Sequence, residues 1–273
     1  MVRKLVIVEH NAKDFENRLW NDLGITACGF ELGARVVNRT SLEHMRLGRP
    51  LHWLYARIID RLTRTSCGRW TMGAPKFLPP TVPASGQFEV CRTLYFFGWL
   101  FRNPAGLAKY RDKLVAAFAP KESAARAIND LIASVPRGRT LVGIHIRQKP
   151  FKGFGSGEFL VPPVRVRQIV EEYLCEKKLR AGDVALVIAT DESLPAGTFS
   201  GLASVVSVAD AKTNLFLLSR CSVVIGTNSR FANLAAWFSN VPHIVTMDNS
   251  LDWEYYKNKN AYFENKYATF THG

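Results

Sequence analysis

Long hydrophobic runs are missing from this sequence, so no segment of it is predicted to cross a membrane as a helix. No stretch approaches the roughly 20 apolar residues that such a helix needs. The apolar run at residues 5–8 is too short for the core of a signal peptide, and Glu9 and His10 interrupt it at once. It therefore predicts a first β-strand, and we expect the protein to work in the cytoplasm.

Paired cysteines and metal-ligand motifs are also missing. The five cysteines are scattered singly, which argues against a disulfide framework or a zinc site and suits a reducing compartment. Cys28 and Cys221 lie in apolar segments and are predicted to be buried. The six histidines show no metal-ligand spacing, and His-Glu-x-x-His, Asp-x-Asp, Gly-x-Ser-x-Gly and Walker motifs do not occur. We expect neither a metal nor a cofactor.

Positive charge, by contrast, is abundant. The net charge of +13 predicts an anionic partner, and the excess is concentrated between Arg35 and Arg69, where eight arginines face two acidic residues. Arg57, Arg61 and Arg64 follow helical spacing. Three interpretations stay open: a solvated helix face, docking on an anionic membrane surface, or polyanion binding. No nucleic-acid-binding motif accompanies the charge, so no specific nucleic-acid partner is expected.

Hydrophobic patterning predicts two α/β lobes. In the first, strands at 5–8 and 34–37 flank a helix at 17–32 that ends at Gly33, and a second helix covers 104–118. The aromatic cluster at 95–101 is typical of a core or of a cleft between the lobes. In the second lobe, strands at 140–146, 184–189, 205–208, 222–225 and 242–246 alternate with helices at 164–178, 213–220 and 229–238. This alternation predicts a doubly wound parallel sheet. The lobes are assigned to residues 1–137 and 138–273, and the tail from Trp253 is expected to cross back.

Three strand ends of the second lobe carry polar residues, and ligands of open α/β sheets bind beyond such ends. The first has His145 and Arg147 alternating with isoleucines, followed by Lys149 in a glycine-rich loop. Arginine suits bidentate contact with a diphosphate, and glycines allow backbone amides to approach it. The alternative is that Arg147 pairs with a carboxylate of the other lobe.

The other two strand ends precede helices or turns. Asp191 follows a buried strand, where it either accepts hydrogen bonds from a ligand or caps a turn. The segment 225–231 runs from a strand through Asn228 and Ser229 into a helix. Its amides and hydroxyls form an anion site or only an N-cap. The three ends together favour a diphosphate site.

With these residues, the chain resembles the bacterial α-1,2-fucosyltransferases and the wider GDP-fucose-dependent superfamily. The family's His-x-Arg-Arg-Gly-Asp-Tyr strand end is matched by residues 145–151, His-Ile-Arg-Gln-Lys-Pro-Phe. Its Leu-Leu-Ser-x-Cys helix end and the Ser-Ser-Phe-Ser-like segment after it correspond to residues 217–221 and 228–231. Asp191 falls at the family's Ser/Thr-Asp, and residues 15–19 echo its early glycine-rich motif.

The resemblance implies a GT-B-type architecture of two Rossmann-like lobes and an inverting, metal-independent transfer from GDP-fucose. The acceptor would be a surface glycan or its lipid-linked precursor, bound on the side of the first lobe. Arg147 would hold the diphosphate and stabilise the departing GDP, and His145 would support the loop or the nucleotide. The nucleotide-sugar pocket would be lined by Asn17, Arg18, Lys149, Asp191, Asn228, Ser229 and Phe231.

The chain departs from the family at functional positions. The family's second Arg, Gly and Asp are replaced by Gln148, Lys149 and Pro150. Lys149 restores a positive charge but not the planar geometry of an arginine. Glu158 and Asp22 are the candidates for a catalytic base. Two alternatives to fucose transfer stay open: the same fold with another nucleotide sugar, or a non-catalytic glycan- or polyanion-binding relative.

Overall fold

The chain divides into two compact units between Lys121 and Glu122. The computed structural model describes residues 5–9, 15–31, 33–38, 68–71, 93–97, 103–148, 160–207, 209–246 and 251–257. The sequence analysis placed the boundary later, between residues 137 and 138. The difference is one helix, Glu122–Ala133, which packs beside a helix of the second unit and therefore belongs with it.

The first unit contains a parallel sheet with its described strands in the order β2-β1-β4-β3. Helix α1 (Phe15–Glu31) connects the parallel pair β1 and β2, which confirms the predicted β-α-β opening. No strand is predicted from the sequence at β3, and the residues of β4 are predicted only as part of an aromatic cluster. The strands are β1 (Leu5–Glu9), β2 (Arg35–Asn38), β3 (Gly68–Thr71) and β4 (Thr93–Phe97).

Two glycines shape the end of α1 and its approach to the sheet. Gly33 has φ +60°, the left-handed conformation that ends many helices, and the next amide, Ala34 N–H, donates to Gly29 O at 2.8 Å. A Cβ on Gly29 would lie 2.2 Å from Val36 Cγ2, so the helix packs on β2 through bare backbone. Gly33 was predicted as this helix stop, and the structure confirms it.

The predicted helix at 104–118 is two short helices, α2 (Pro104–Lys109) and α3 (Arg111–Ala117). Tyr110 separates them because its backbone angles, φ −108° and ψ 16°, leave the helical region. Hydrogen bonds from Tyr110 N to Gly106 O and from Leu114 N to Tyr110 O still cross the break. The prediction was therefore correct in extent but wrong in continuity.

The second unit is built on a parallel sheet in the order β7-β6-β5-β8-β9. All five strands and three helices were predicted from the sequence to within about two residues, and they are confirmed. Helix α4 was not predicted, although its apolar residues Ala124, Ile128, Leu131 and Ile132 recur at helical spacing. The elements are α4 (Glu122–Ala133), β5 (Thr140–Ile146), α5 (Pro163–Glu176), β6 (Val184–Thr190), β7 (Ala203–Ser207), α6 (Ala211–Leu218), β8 (Val223–Gly226), α7 (Arg230–Ser239) and β9 (His243–Val245).

The two faces of this sheet differ because side chains alternate along each strand. Ile144 and Ile146 of β5 belong to a buried aliphatic core that includes β6, β8 and α5. The other face presents Gly143 and His145, and it is covered by α6 and α7. A Cβ on Gly143 would meet Leu218 of α6 at 3.2 Å. Small residues on this face therefore let the helices approach the strands closely.

The described end of the chain packs on the second unit. Leu251, Trp253 and Tyr255 lie against the aliphatic core. Tyr256 is buried, and its Oη accepts a hydrogen bond from Val245 N–H of β9 at 3.1 Å. The predicted return of the tail to the first lobe falls beyond Lys257 and so lies outside the described residues.

We expect Gly226→Ala to disturb the pairing of β5 with β8. A Cβ at Gly226 would lie 2.1 Å from the backbone oxygen of His145, which cannot rotate away. The loss of unfolding free energy should be about 1–3 kcal/mol, as for other overpacked sites. Urea unfolding followed by circular dichroism measures it, with Gly182→Ala as control because nothing lies within 4 Å of a Cβ there. An equal effect of both variants would contradict the close approach.

Candidate functional site

The strand order of the second unit creates a crevice at one place. From β5 the chain moves outward through β6 and β7 on one side, and then through β8 and β9 on the other. Loops leaving β5 and β8 therefore diverge, which opens a space beyond the carboxyl ends of these two strands. The residues predicted at the first and third strand ends lie on its two sides.

His145 connects the two sides of this crevice. Its backbone oxygen accepts a hydrogen bond from Thr227 N–H at 3.1 Å. Its Nδ1 lies 3.2 Å from Ser229 Oγ, and its ring stacks on Phe231 with centroids 4.8 Å apart and planes 22° apart. The end of β5 and the turn from β8 into α7 are therefore fixed to each other through one residue.

Ser229 is the N-cap of α7. Its Oγ accepts a hydrogen bond from Ala232 N–H at 3.2 Å, so its own proton is available to Nδ1 of His145. Asn228 and Ser229 are both 3% exposed. The predicted N-cap is confirmed, and the N-terminal end of α7 points its amides and its partial positive charge toward the crevice.

The imidazole of His145 is neutral at physiological pH. Burial, reinforced by the charge of Arg147 and by His243, lowers the pKa of His145 to about 3. It therefore brings no charge to a bound anion. Positive charge at this strand end comes from Arg147, which directly follows β5 and is half-buried.

Asp191 connects the ends of β5 and β6. Its Oδ1 accepts a hydrogen bond from Gln148 N–H at 2.8 Å, so the carboxylate fixes the backbone immediately after Arg147. Asp191 was predicted either to accept hydrogen bonds from a ligand or to cap a turn; the bond from Gln148 N–H is a structural contact, and a contact with a ligand stays a prediction. Lys149 and Glu158, predicted for diphosphate binding and catalysis, lie outside the described residues.

The remaining predicted residues belong to α1 in the first unit. Asn17 is 8% exposed and Arg18 is half-buried. Asp22, a candidate base, is 2% exposed in the middle of the helix. Their contribution to a nucleotide pocket or to proton transfer stays a prediction.

A second buried imidazole was missed by the sequence analysis. His243 at the start of β9 is 1% exposed, and its Nδ1 donates to Asn233 Oδ1 of α7 at 2.8 Å. Burial lowers the pKa of His243 to about 3, with a smaller opposite effect from the Thr227 backbone. No sequence motif marks His243 or Asn233. Their contact depends on the turn between α7 and β9, which a local pattern does not predict.

Cysteines, metals and membrane spans complete the description. Cys28 and Cys221 are buried as predicted, and burial raises the pKa of each thiol to about 12, so neither is a nucleophile at neutral pH. In the part of the chain that the structure describes, His, Cys, Asp and Glu side chains form no group of three or more suited to a metal ion. None of the described helices is long and apolar enough to span a membrane.

Comparisons with known proteins find similarity at the level of structure. No protein-family model matches the chain, and a search of curated proteins finds no significant relative. A mutant of FUT1 from Arabidopsis thaliana, solved with GDP, superposes with a TM-score of 0.55 at 12% identity over 88% of this chain and 70% of that one.

Two further solved structures give similar values. POFUT1 in complex with GDP has a TM-score of 0.57 at 10% identity, over 87% of this chain and 95% of that one. The fucosyltransferase NodZ from Bradyrhizobium has a TM-score of 0.52 at 15% identity, over 85% of this chain and 93% of that one. The likeness confirms the predicted fold class, α/β with Rossmann-like parallel sheets of the GT-B type.

Acid should destabilise the second unit through its two buried imidazoles. Both pKa values are lowered in the folded state, so the unfolded chain binds protons that the folded chain does not once the pH falls below about 6.5. The unfolding free energy should fall from pH 6.5 toward pH 3 by up to about 1.4 kcal/mol per pH unit for each histidine.

His243→Gln removes one of these titrations and should reduce the slope by one histidine's share. Urea unfolding at intervals between pH 6.5 and 4 measures the slope in both proteins, and carboxylate titrations are common to both. An unchanged slope would show that His243 is solvated or protonated in the folded chain.

Proposed function

We propose that the protein is a glycosyltransferase that uses a nucleotide sugar, GDP-fucose in the first instance, and binds its diphosphate in the crevice between β5 and β8. The observation that carries the proposal is that Arg147 directly follows β5 and that α7 begins after β8, the two strands between which the order of the sheet reverses. An arginine and a helix N-terminus at such a point are suited to a diphosphate.

Each described residue has a distinct part in this proposal. Arg147 supplies the positive charge and a planar donor pair for two phosphate oxygens. The amides at the start of α7 supply further donors. His145 stays neutral and fixes Ser229, while Asp191 fixes the loop that carries Arg147.

The chemistry follows from where charge develops. In transfer from a nucleotide sugar, the bond between the sugar's anomeric carbon and the β-phosphate oxygen breaks, and the electron pair stays with the diphosphate. Arg147 and the α7 amides would stabilise that growing negative charge, so they lower the barrier as well as bind the donor. In the inverting reaction that we propose, the acceptor hydroxyl attacks from the opposite side of the sugar and gives its proton to a base, for which Glu158 and Asp22 stay candidates. With this charge supplied by the protein, the transfer needs no metal.

The donor is proposed by analogy with proteins of the same fold. FUT1 and POFUT1 were solved with GDP, and POFUT1 and NodZ with GDP-fucose. We further propose a saccharide acceptor, a surface glycan or its lipid-linked precursor, and an α-1,2 linkage. The basic segment between Arg35 and Arg69, mostly outside the described residues, would bring the enzyme to the anionic inner surface of the membrane.

Calorimetric titration with GDP, UDP and ADP, with and without magnesium, tests the site. We expect GDP to bind most tightly and independently of magnesium. Arg147→Ala should weaken GDP binding by about 1.5–3 kcal/mol, roughly 10- to 150-fold in Kd, because a charge-assisted bond is lost. The GDP affinity of Arg147→Lys should lie between those of the wild type and Arg147→Ala, since lysine keeps the charge without the planar donor pair.

Arg139→Ala is the matched control. Arg139 precedes the same strand at its other end, where Nη1 donates to Val184 O at 3.3 Å. Its loss should leave GDP binding unchanged. Preference for UDP or ADP would change the sugar donor, and equal GDP affinity in Arg147→Ala would overturn the site. A wild-type protein that binds no nucleotide but binds polyanions would favour the non-catalytic alternative.

A further inference from the structure

Helix α7 is attached to the sheet at two polar points rather than one. The first is Ser229 at its N-cap, which contacts His145. The second is Asn233, one turn later and wholly buried, which accepts the hydrogen bond of His243. Asn233 N–H donates to Ser229 O at 3.1 Å, so the two side chains are in successive turns of the same helical ladder.

Both imidazoles approach α7 from the same face of the sheet. Val224 pairs with Gly143 on one side and His243 on the other, and Gly226 pairs with His145. Since residues two apart on a strand share a face, His145 and His243 both lie on the face that α7 covers. Two contacts separated by a helical turn fix both the rotation of α7 about its axis and its position along the sheet.

Stability alone does not account for the second contact. Thr227 Oγ1 and Asn233 Nδ2 are buried and have no hydrogen-bond partner among the described residues. A buried polar atom without a partner is destabilising, and apolar side chains of similar volume often do as well or better in such places. Besides any stability it adds, the His243–Asn233 bond fixes an orientation, because it joins α7 to β9 at a defined point.

We propose that His243 and Asn233 are positioning residues for the diphosphate site. They hold α7 in the rotation at which Ser229 meets His145 and the first amides of the helix face the crevice. This inference rests on the proposed function, because it concerns the same anion site. Neither residue is required to touch the ligand; both act through the helix.

Leucine substitutions test the proposal, because they remove the hydrogen bond while keeping most of the volume. Asn233→Leu and His243→Leu should each weaken GDP binding about 10- to 100-fold, the range expected when small displacements spoil an aligned site. The double variant should be no weaker than the worse single one, because both changes remove the same bond. Thermal unfolding should show the double variant at least as stable as either single one.

A second buried polar pair provides the matched control. Ser207 Oγ donates to Asn214 Oδ1 at 2.5 Å, a bond that joins β7 to α6 and includes no residue of α7. Ser207→Ala removes this bond, and it should change the unfolding temperature without changing GDP affinity. This variant separates a general effect of losing a buried hydrogen bond from an effect on the orientation of α7.

The outcomes distinguish the two proposals. If wild-type protein binds GDP and the leucine variants bind it equally well, His243 and Asn233 are structural only and this inference is overturned while the function stands. The inference is also overturned if Ser207→Ala loses GDP affinity as the leucine variants do, in proportion to the fall in unfolding temperature. The effect would then come from lost stability and not from the orientation of α7. If wild-type protein binds no nucleotide, the proposed function fails and this inference fails with it. Hydrogen exchange at residues 229–233 should be faster in Asn233→Leu than in Ser207→Ala, and equal rates would also overturn it.

Discussion

The end of β8 lies as close to the end of β5 as it does only because residue 226 has no side chain. That approach lets the backbone of His145 bond to Thr227 and lets its ring reach Ser229 and Phe231. Helix α7, which follows β8, therefore begins at the crevice. Arg147 lies two residues beyond His145, just after the end of β5.

Charge and orientation are carried by different residues at this site. Burial keeps His145 and His243 neutral. Each therefore provides a fixed hydrogen bond and adds no charge to the site. Arg147 carries the charge and is only half-buried, which lowers the desolvation cost of keeping it ionised. An anion entering the crevice would therefore meet the charge of Arg147 beside preoriented neutral hydrogen-bonding groups.

Much of the second unit could be predicted from sequence because its strands are continuous apolar runs and its helices are strongly patterned. Two sides of the site could also be predicted from the sequence. One follows from the alternation of His145 and Arg147 with isoleucine, and the other from the polar turn at Ser229. The pairing of His243 with Asn233 could not be predicted, since it depends on how tightly α7 turns back into β9. Helix α4 was missed although its apolar residues recur at helical spacing, whereas its place in the second unit follows from its packing against α6, which the local pattern does not encode.

The hydrogen bond between Tyr256 and Val245 has a consequence for solubility. β9 is the last strand of the described sheet, and an outer strand with unpaired amides is a template for edge-to-edge association with another chain. The phenol oxygen of Tyr256 accepts a hydrogen bond from the amide of Val245, the last residue of β9, and Trp253 and Tyr255 pack on the aliphatic core nearby. Residues 253–256 therefore shield part of this edge from pairing with another chain, in addition to packing on the core.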